Sequence, residues 1–599
     1  MDPSSAMLLA RSCSKLNEHS QVNNTFLTME TVSLETSAAN QLSLLHGPSY
    51  PPLIDLTLGS FLDHQCRFYG NAECLIVPWT DSRWTYNDLK SHSRRLARYL
   101  VSKNIKRGDR VAILAGNCSE YVSVFFACVR IGAILVILNN TYTQSEVLYA
   151  LQYTESKILF ATRQVGKLDH TGMLRKFASP SSSLPALGSV IILRGEMTGL
   201  PTYTQALRLG SDMDDGVLEQ IETDLSPHDV CNLQFTSGST GDPKAAMLTH
   251  HNLLNNARFI GDRMELTTRD ILCCPPPLFH CFGLVLGLLA VMTHGAKVVY
   301  PSETFDPSAV LRAISAEKCT ALHGVPAMFD SILGLPRPAN FDCSQLRTGI
   351  IAGAPVPRYL MEMLVNELGM SEFTSSYGLT EASPTCFNAF THDTIERRLS
   401  TVGTLLPHAH AKIIDRSGAI VPIGTRGELC IAGYQLQKGY YKNAVKTAEA
   451  MERDADGVLW LKTGDEAMFD REGYCSITGR FKDIIIRGGE NIYPLEIEER
   501  LTAHENVDRA VVVGVSHMKY GEVVGAFLQA TKGGRKPSDD ELRVWVREKL
   551  GWHKAPQYVF WMGEKGVPAE IPVTGSGKVK KYEMRKLAEA LVSPTKSKL

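Results

Sequence analysis

The stretch TSGSTGDPKAA, Thr236 to Ala246, mixes small hydroxyls with two glycines and ends on a proline, a lysine and two alanines. Gly238 and Gly241 free the backbone to turn its N–H groups toward a ligand. Thr236, Ser237, Ser239 and Thr240 offer hydroxyl donors, and Lys244 brings a positive charge. That chemistry suits a phosphate. The spacing is not that of a Walker loop, in which a lysine directly follows the second glycine; here Asp242 and Pro243 intervene. An ordinary flexible turn has the same Ser/Gly/Thr composition, so the surroundings must decide between the two. Strand-like Val230–Phe235 feeds the loop and sets it at the carboxyl end of a strand, where open α/β sheets bind ligands.

With 599 residues the chain exceeds what a single core serves, roughly 250 to 300 residues, so more than one domain is expected. Hydrophobic residues at 44% and charged residues at 21% are those of a globular protein. The 62 basic and 63 acidic side chains leave a net charge of -1, which gives no global attraction to nucleic acid; any anion must be met locally. The 14 cysteines form no CxxC pair, which argues for free thiols and against both a disulfide framework and a zinc site. Tyr121 to Leu138 is long and apolar, but Arg130 and Gly132 interrupt it, so it reads as a helix followed by a buried strand. The apolar run from Cys281 to Met292 is too short to span, and no transmembrane segment is expected.

Residues 1–50 are rich in Ser, Asn and Thr without sustained periodicity and read as a mobile extension. Their apolar piece Ala6–Ala10 is too short for a secretory signal. From Pro51, amphipathic helices such as Asn87–Lys103 alternate with short strands such as Arg110–Leu114, Lys297–Tyr300 and Arg347–Ile351. This alternation implies an α/β fold, a large domain of parallel or mixed sheets covered by helices over 51–479. The character breaks after Thr463. A turn-rich stretch, Gly464–Gly479, leads into strand Ile484–Ile486, helix Leu495–Ala503, strand Arg509–Val513 and helix Asp539–Leu550, a small α+β domain over 480–590. The tail 591–599 ends in Ser597-Lys598-Leu599, a tripeptide read by the peroxisomal import receptor when it is terminal and accessible, so a peroxisomal location is expected.

Three further groups carry chemistry. Tyr377-Gly378-Leu379-Thr380-Glu381 sets an aromatic ring, a turn, a hydroxyl and a carboxylate together, fit to stack a base, bond a phosphate and hold Mg²⁺. Asp465, after Lys462-Thr463-Gly464, can accept two hydrogen bonds from a ribose diol, although a solvated turn aspartate reads the same in isolation. Lys578 stands in Thr574-Gly575-Ser576-Gly577-Lys578, a glycine-flanked loop that can carry a point charge into a site built elsewhere; a solvated surface lysine is the bland alternative.

The ordered set TSGSTGDPK, IAGAP, YGLTE, LKTGD, GRFKDIIIRGGENIYPLEIE and TGSGKV resembles the adenylate-forming (AMP-binding) superfamily from about Leu56 to Leu587. Within it the chain is most similar to medium- and long-chain acyl-CoA synthetases, the branch that includes acyl-CoA synthetase family member 2. The resemblance implies an ATP-dependent acid-CoA ligase with ATP, Mg²⁺ and CoA, whose small domain rotates between two half-reactions. By it, Thr236, Ser237, Gly238, Ser239, Thr240, Gly241, Asp242, Pro243 and Lys244 would hold the outer phosphates of ATP. Gly353, Ala354 and Pro355 would form one wall of the adenine slot, with Tyr377 stacking on the other and Ser376, Gly378 and Leu379 also among the nucleotide-binding residues. Thr380 would touch the α-phosphate and Glu381 would hold Mg²⁺. Asp465, with Arg480 beside it, would bind the ribose, Lys482 would be the hinge, and Lys578 would contact carboxylate and α-phosphate. His280 would gate an acyl pocket lined from Phe282 to Leu286, Val325 and Ser375, although a hydrogen-bonded loop histidine reads equally from its local sequence. Domain rotation would bring the Arg487–Asn491 edge toward the site for CoA.

Alternatives within this chemistry are a 4-coumarate or aryl-CoA ligase, a ligase of siderophore or toxin pathways, and an enzyme that charges a carrier protein. From another class, a binding protein with a degraded site is opposed by the intact Glu381, Asp465 and Lys578. One departure from the pattern is Ala245, where the family usually has glycine; a side chain there is expected to restrict the turn that aims Lys244.

Overall fold

The computed structural model describes residues 33–34, 42–179, 183–236, 244–353, 356, 358–481, 483–488, 490–573 and 579–592. Two sheets are built by the expected alternation. The first runs in the order Ser189–Ile192, Ile158–Ala161, Arg110–Leu114, Ile134–Ile137, Val230–Thr236 and Lys244–Thr249. It is parallel until the last strand, which turns back antiparallel on its predecessor. The second has nine strands, with Ile271–Cys273, Lys297–Val299, Ala321–Leu322, Thr348–Ala352 and Glu372–Gly378 in its parallel middle. Antiparallel pairs close both of its edges.

One core cluster contains residues of both sheets, among them Val111, Leu135, Leu75 and Val298, together with helices Tyr86–Ser102, Ser119–Arg130 and His250–Arg263. Helix Tyr86–Ser102 starts where Thr85 and Asp88 make a capping box, and it buries Leu89, Leu96 and Leu100 on one face. The apolar run Phe282–Leu289 forms a π-helix whose residues are all buried, a rare form that recurs at functional sites.

A third, antiparallel sheet carries Leu44–His46, Ala409–Ile414, Gly427–Gly433, Leu459–Phe469, Met451–Arg453 and Cys475–Arg480. It corrects two expectations. The turn-rich reading of Gly464–Gly479 is wrong: strand Leu459–Phe469 runs through Thr463 and pairs with Cys475–Arg480, setting Asp465 opposite Arg480. Glycines and acids made the stretch look like loop, but pairing with Gly427–Gly433 on the other side overrides that local preference. Nor are residues 1–50 uniformly an extension. Leu44–His46 pairs with Ala409–Ile414, and the fully buried Leu45 joins the core beneath that sheet, a three-residue alternation too short to register as periodic.

The smaller C-terminal domain has the strands Ile485–Arg487, Glu490–Ile492, Val507–His517, Gly521–Ala530 and Tyr558–Trp561 in one sheet. Its two faces carry separate cores, one with Ile497, Leu501, Leu542 and Val546, the other with Met584 and Ala588 of the last helix.

Among the described residues no helix is long and apolar enough to cross a membrane. Tyr121–Leu138 divides as expected into helix Ser119–Arg130 and strand Ile134–Ile137, with Gly132 at φ +67° between them. All thirteen described cysteines are free thiols. Arg130, fully buried, pairs with Asp63 at 2.7 Å and Glu222 at 2.5 Å and donates to Ser93 Oγ at 3.1 Å. Removing one member of a buried ionic group strands the others without compensation, at a cost of roughly 3–5 kcal/mol. Arg130→Leu is therefore expected to lower the denaturant midpoint of the large domain sharply, whereas a change confined to exposed Arg83 leaves it nearly unmoved; urea titration followed by circular dichroism checks the difference.

Candidate functional site

Thr236 and Lys244 are paired across neighbouring antiparallel strands, so the two ends of the Thr236–Lys244 loop are held at adjacent backbone positions. Ser237, Gly238, Ser239, Thr240, Gly241, Asp242 and Pro243 lie outside the described residues, as do Ala354, Pro355, Lys482, Lys578 and the tail Ser597-Lys598-Leu599. Ala245 lies within strand Lys244–Thr249 rather than in a turn. Its methyl is fully buried and its carbonyl accepts from Tyr441 N at 2.8 Å, so the expected restriction of a turn does not arise at this position.

In the second sheet, strands Thr348–Ala352 and Glu372–Gly378 run parallel with Ala352 level with Ser376. Gly353, at φ +90°, and Tyr377 therefore emerge side by side at their carboxyl ends. Ser376 is buried and donates to Phe387 O at 3.3 Å. Beyond Tyr377 the chain turns tightly: Leu379 N donates to Pro384 O at 2.9 Å, and Thr380–Ala382 form a short 3₁₀ turn that carries Glu381. Gly378 is required by close approach, since a Cβ there would stand 2.0 Å from Pro384 O.

The third sheet supplies the remaining polar groups. Tyr377 Oη donates to Asp465 Oδ2 at 2.6 Å, and Arg480 Nε lies 2.9 Å from Asp465 Oδ1. Burial and the neighbouring carboxylate push the Tyr377 phenol well above its usual range, and the Asp465 charge raises the Arg480 guanidinium further. Tyr377, Asp465 and Arg480, spread over about a hundred residues of sequence, are thus one cluster joining two sheets, and Asp465 is an ion-paired carboxylate rather than a solvated turn residue.

Several residues that bind this site together escaped the sequence reading. Tyr440 Oη donates to Glu381 Oε1 at 2.9 Å, and the Lys244 ammonium sits 5.1 Å from the centre of its ring. Cys281, fully buried, donates to Gln234 Oε1 at 3.0 Å, and its thiol also lies against Thr380 and Glu381. Burial first, and then the Glu381 charge, hold that thiol well above its usual range, so it is inert. No spacing in the sequence could have found these contacts, since each joins segments tens to hundreds of residues apart.

His280 opens the π-helix with Nδ1 accepting from Phe282 N at 3.1 Å, the local hydrogen bond of a loop histidine. Phe282 lies 5.5 Å from the ring of His323, and Val325, Met328 and Ala352 belong to the same apolar cluster. Ser375 Oγ is turned to Thr401 O at 3.1 Å. His323 is fully buried, bonding Leu286 O through Nε2 and accepting from Ile350 N through Nδ1, both at 3.0 Å. Burial lowers its pKa to about 4, so it stays neutral and fastens the π-helix to strand Thr348–Ala352.

Among the described residues no group of three or more His, Cys, Asp or Glu is placed to hold a metal by protein ligands alone. A hard cation held by one carboxylate, phosphate oxygens and water needs no such group, and Glu381 with Thr380 beside it fits that donor set.

The sequence matches the AMP-binding enzyme family over residues 62–441 and the AMP-binding enzyme C-terminal domain over 496–578. It is 63% identical over 568 residues to the acyl-CoA ligase sidI of Beauveria bassiana, covering 94% of this chain and 98% of that one. It is 37% identical to the medium-chain acyl-CoA ligase ACSF2, mitochondrial, of Danio rerio, over 91% of each. Among solved structures it is similar to ATP-bound MatB from Rhodopseudomonas palustris, with TM-score 0.78 at 25% identity over 89% of this chain and 99% of that one.

Gly378→Ala tests the geometry directly, because the added methyl must displace the turn that carries Thr380 and Glu381. A displacement of about 1 Å at a reacting centre can cost on the order of a hundredfold in rate. Acyl-adenylate formation by the variant is expected to fall by that order while its melting transition remains cooperative; activity within threefold of wild type contradicts the tight-turn reading.

Proposed function

Because the chain belongs to the AMP-binding enzyme family and is an ATP-dependent acid-CoA ligase, we propose that its acid is a specialised carboxylic acid rather than a medium-chain fatty acid. The observation that carries this is a gap in identity. Three relatives named acyl-CoA ligase without a chain length, two called sidI and one SID4, stand at 60–63%, whereas the medium-chain ligases stand at 34–37%, beside a fourth relative named only acyl-CoA ligase, cnsG of Penicillium expansum, at 35%. The competing reading, a medium-chain acid, is supported by the wholly apolar π-helix beside His280. A panel of carboxylic acids graded by length and polarity, assayed with CoA for thioester formation, separates the two. A maximum at unsubstituted acids of six to ten carbons would overturn the first reading.

In the first half-reaction a carboxylate oxygen attacks the α-phosphorus of ATP, the bond from that phosphorus to the bridging oxygen breaks, and pyrophosphate leaves. In the second, the CoA thiolate attacks the acyl carbonyl and AMP departs with the bonding electrons. The carboxylate is a weak nucleophile facing a polyanion, so the site's task is to orient and to compensate charge. In the proposed assignment the Thr236–Lys244 loop grips the outgoing phosphates and Tyr377 stacks on adenine across from Gly353, Ala354 and Pro355. Asp465, oriented by Tyr377 and Arg480, takes the ribose hydroxyls, Thr380 meets the α-phosphate and Lys578 the developing charge, while His280 borders the acid. Glu381 holds Mg²⁺, which when bound offsets triphosphate charge.

The proposal extends to organisation: a large domain over 51–479, a small one over 480–590 turning about Lys482 between the half-reactions, and import into peroxisomes through Ser597-Lys598-Leu599. Fusion of residues 591–599 to a fluorescent protein tests the last point. Diffuse fluorescence in cells with functional peroxisomes contradicts it.

Lys578→Ala is expected to abolish exchange of labelled pyrophosphate into ATP while leaving ATP affinity within a fewfold, since its role is confined to the transition state. Wild type is expected to prefer ATP over 2′-deoxy-ATP, and Asp465→Asn to raise the KM for ATP and erase that preference. A retained preference would move the ribose contact elsewhere.

A further inference from the structure

We propose that Tyr440 is a positioning residue that aims both the Glu381 carboxylate and the Lys244 ammonium at the triphosphate. The inference rests on the assignment of Glu381 and Lys244 made above and adds a residue that no motif marks.

The geometry carries it. Segment Gln437–Tyr441 is laced to strand Lys244–Thr249 by backbone hydrogen bonds, Lys438 N to Met247 O at 2.9 Å, Met247 N to Gly439 O at 3.0 Å and Tyr441 N to Ala245 O at 2.8 Å, with Tyr440 itself bridged to Ala246. On its other side the same segment fastens the turn holding Glu381. Gln437 N donates to the Glu381 carbonyl at 2.9 Å while Tyr440 Oη donates to Oε1 of the side chain, also at 2.9 Å. Main chain and side chain of Glu381 are therefore both tied to one five-residue strap. The Tyr440 ring is nearly buried, its backbone N donates to Thr447 Oγ1 at 2.9 Å, and Gly439, at φ +124°, admits no side chain, since a Cβ there would stand 2.8 Å from the Thr447 methyl. A ring so fixed cannot follow its partners; they must conform to it.

Two consequences follow for the ligand. The phenol occupies one lone pair of Oε1, which leaves Oε2 the less committed oxygen for a cation, and the carboxylate is presented in one orientation instead of rotating. The ring face under Lys244 limits where that ammonium can stand, which replaces part of the entropy a free lysine would lose on meeting phosphate. Tyr440 thus acts through Glu381 and Lys244, and couples a strand of the first sheet to a turn of the second.

Calorimetric titration of ATP into the full-length protein, without acid substrate and with either Mg²⁺ or EDTA, separates positioning from simple stabilisation. Tyr440→Phe removes only the hydroxyl. It is expected to weaken ATP binding roughly tenfold with Mg²⁺, the order of one hydrogen bond to a charged group, and to leave binding in EDTA unchanged. Tyr440→Leu removes the ring as well and is expected to weaken binding in EDTA too. Glu381→Gln is the control for the underlying assignment. If it removes the Mg²⁺ enhancement while Tyr440→Phe matches wild type, the role of Tyr440 is overturned and that of Glu381 stands. If Glu381→Gln keeps the enhancement, the assignment and the inference fall together. Equal weakening of Tyr440→Phe with and without Mg²⁺ would mark a structural hydrogen bond and overturn positioning. Equal behaviour of the Phe and Leu variants in EDTA would overturn the part assigned to the ring.

Discussion

A loop that offers its backbone to a polyanion gains nothing from flexible glycines unless its ends are fixed. Here the constraint is the antiparallel return of strand Lys244–Thr249 on Val230–Thr236, which sets Thr236 level with Lys244. Everything else at the site is fastened to that pair. The Gln437–Tyr441 strap is bonded along the returning strand and reaches Glu381. Gln234, two residues before the loop, holds Cys281 against Thr380 and so joins the first sheet to the second. The third sheet is joined in turn through the Tyr377–Asp465–Arg480 cluster. Three sheets thus meet at one place, and in the proposed assignment each contributes a different part of a nucleotide site: phosphate loop, base slot and ribose carboxylate.

The cores explain why this meeting point is stable. The first two sheets share a continuous cluster of buried side chains in which the π-helix Phe282–Leu289 is completely enclosed. His323 ties that helix to strand Thr348–Ala352 as a neutral imidazole bonded at both nitrogens. The charged groups sit at the rim of this apolar mass, each with a partner: Asp465 with Arg480 and Tyr377, Glu381 with Tyr440. Low dielectric behind the site strengthens whatever field these groups direct outward, provided each remains oriented.

Much of this was legible in the sequence because it is local. The helix Tyr86–Ser102 and the strands Arg110–Leu114 and Val230–Thr236 follow from periodicity and capping, and the motif residues assigned to the proposed nucleotide site are contiguous runs. What was not legible depends on partners distant in sequence. The strand that carries Asp465 and its partner Cys475–Arg480 looked like turns, since glycine and acid composition speaks for loop until Gly427–Gly433 is paired alongside. Leu44–His46 is a strand because Ala409–Ile414 presents an edge to it, with Ser33–Leu34 paired on its other side. Ala245 looked like a restriction on a turn and is instead a strand residue whose methyl belongs to the core. Tyr440 sits in an unremarked Gly-Tyr-Tyr, and its meaning comes from two contacts, 59 and 196 residues away.

In the proposed chemistry the acid attacks the α-phosphorus while the outer phosphates are held as a leaving group. The most direct test uses the acid with highest turnover, labelled with ¹⁸O in its carboxylate, in one reaction with ATP and CoA followed by mass spectrometry of the products. One labelled oxygen transferred to the phosphate of AMP, with pyrophosphate unlabelled, is the result this arrangement predicts. Label in pyrophosphate or inorganic phosphate, or in no phosphate product, would mean that the groups gathered around Thr236 and Lys244 serve a different reaction.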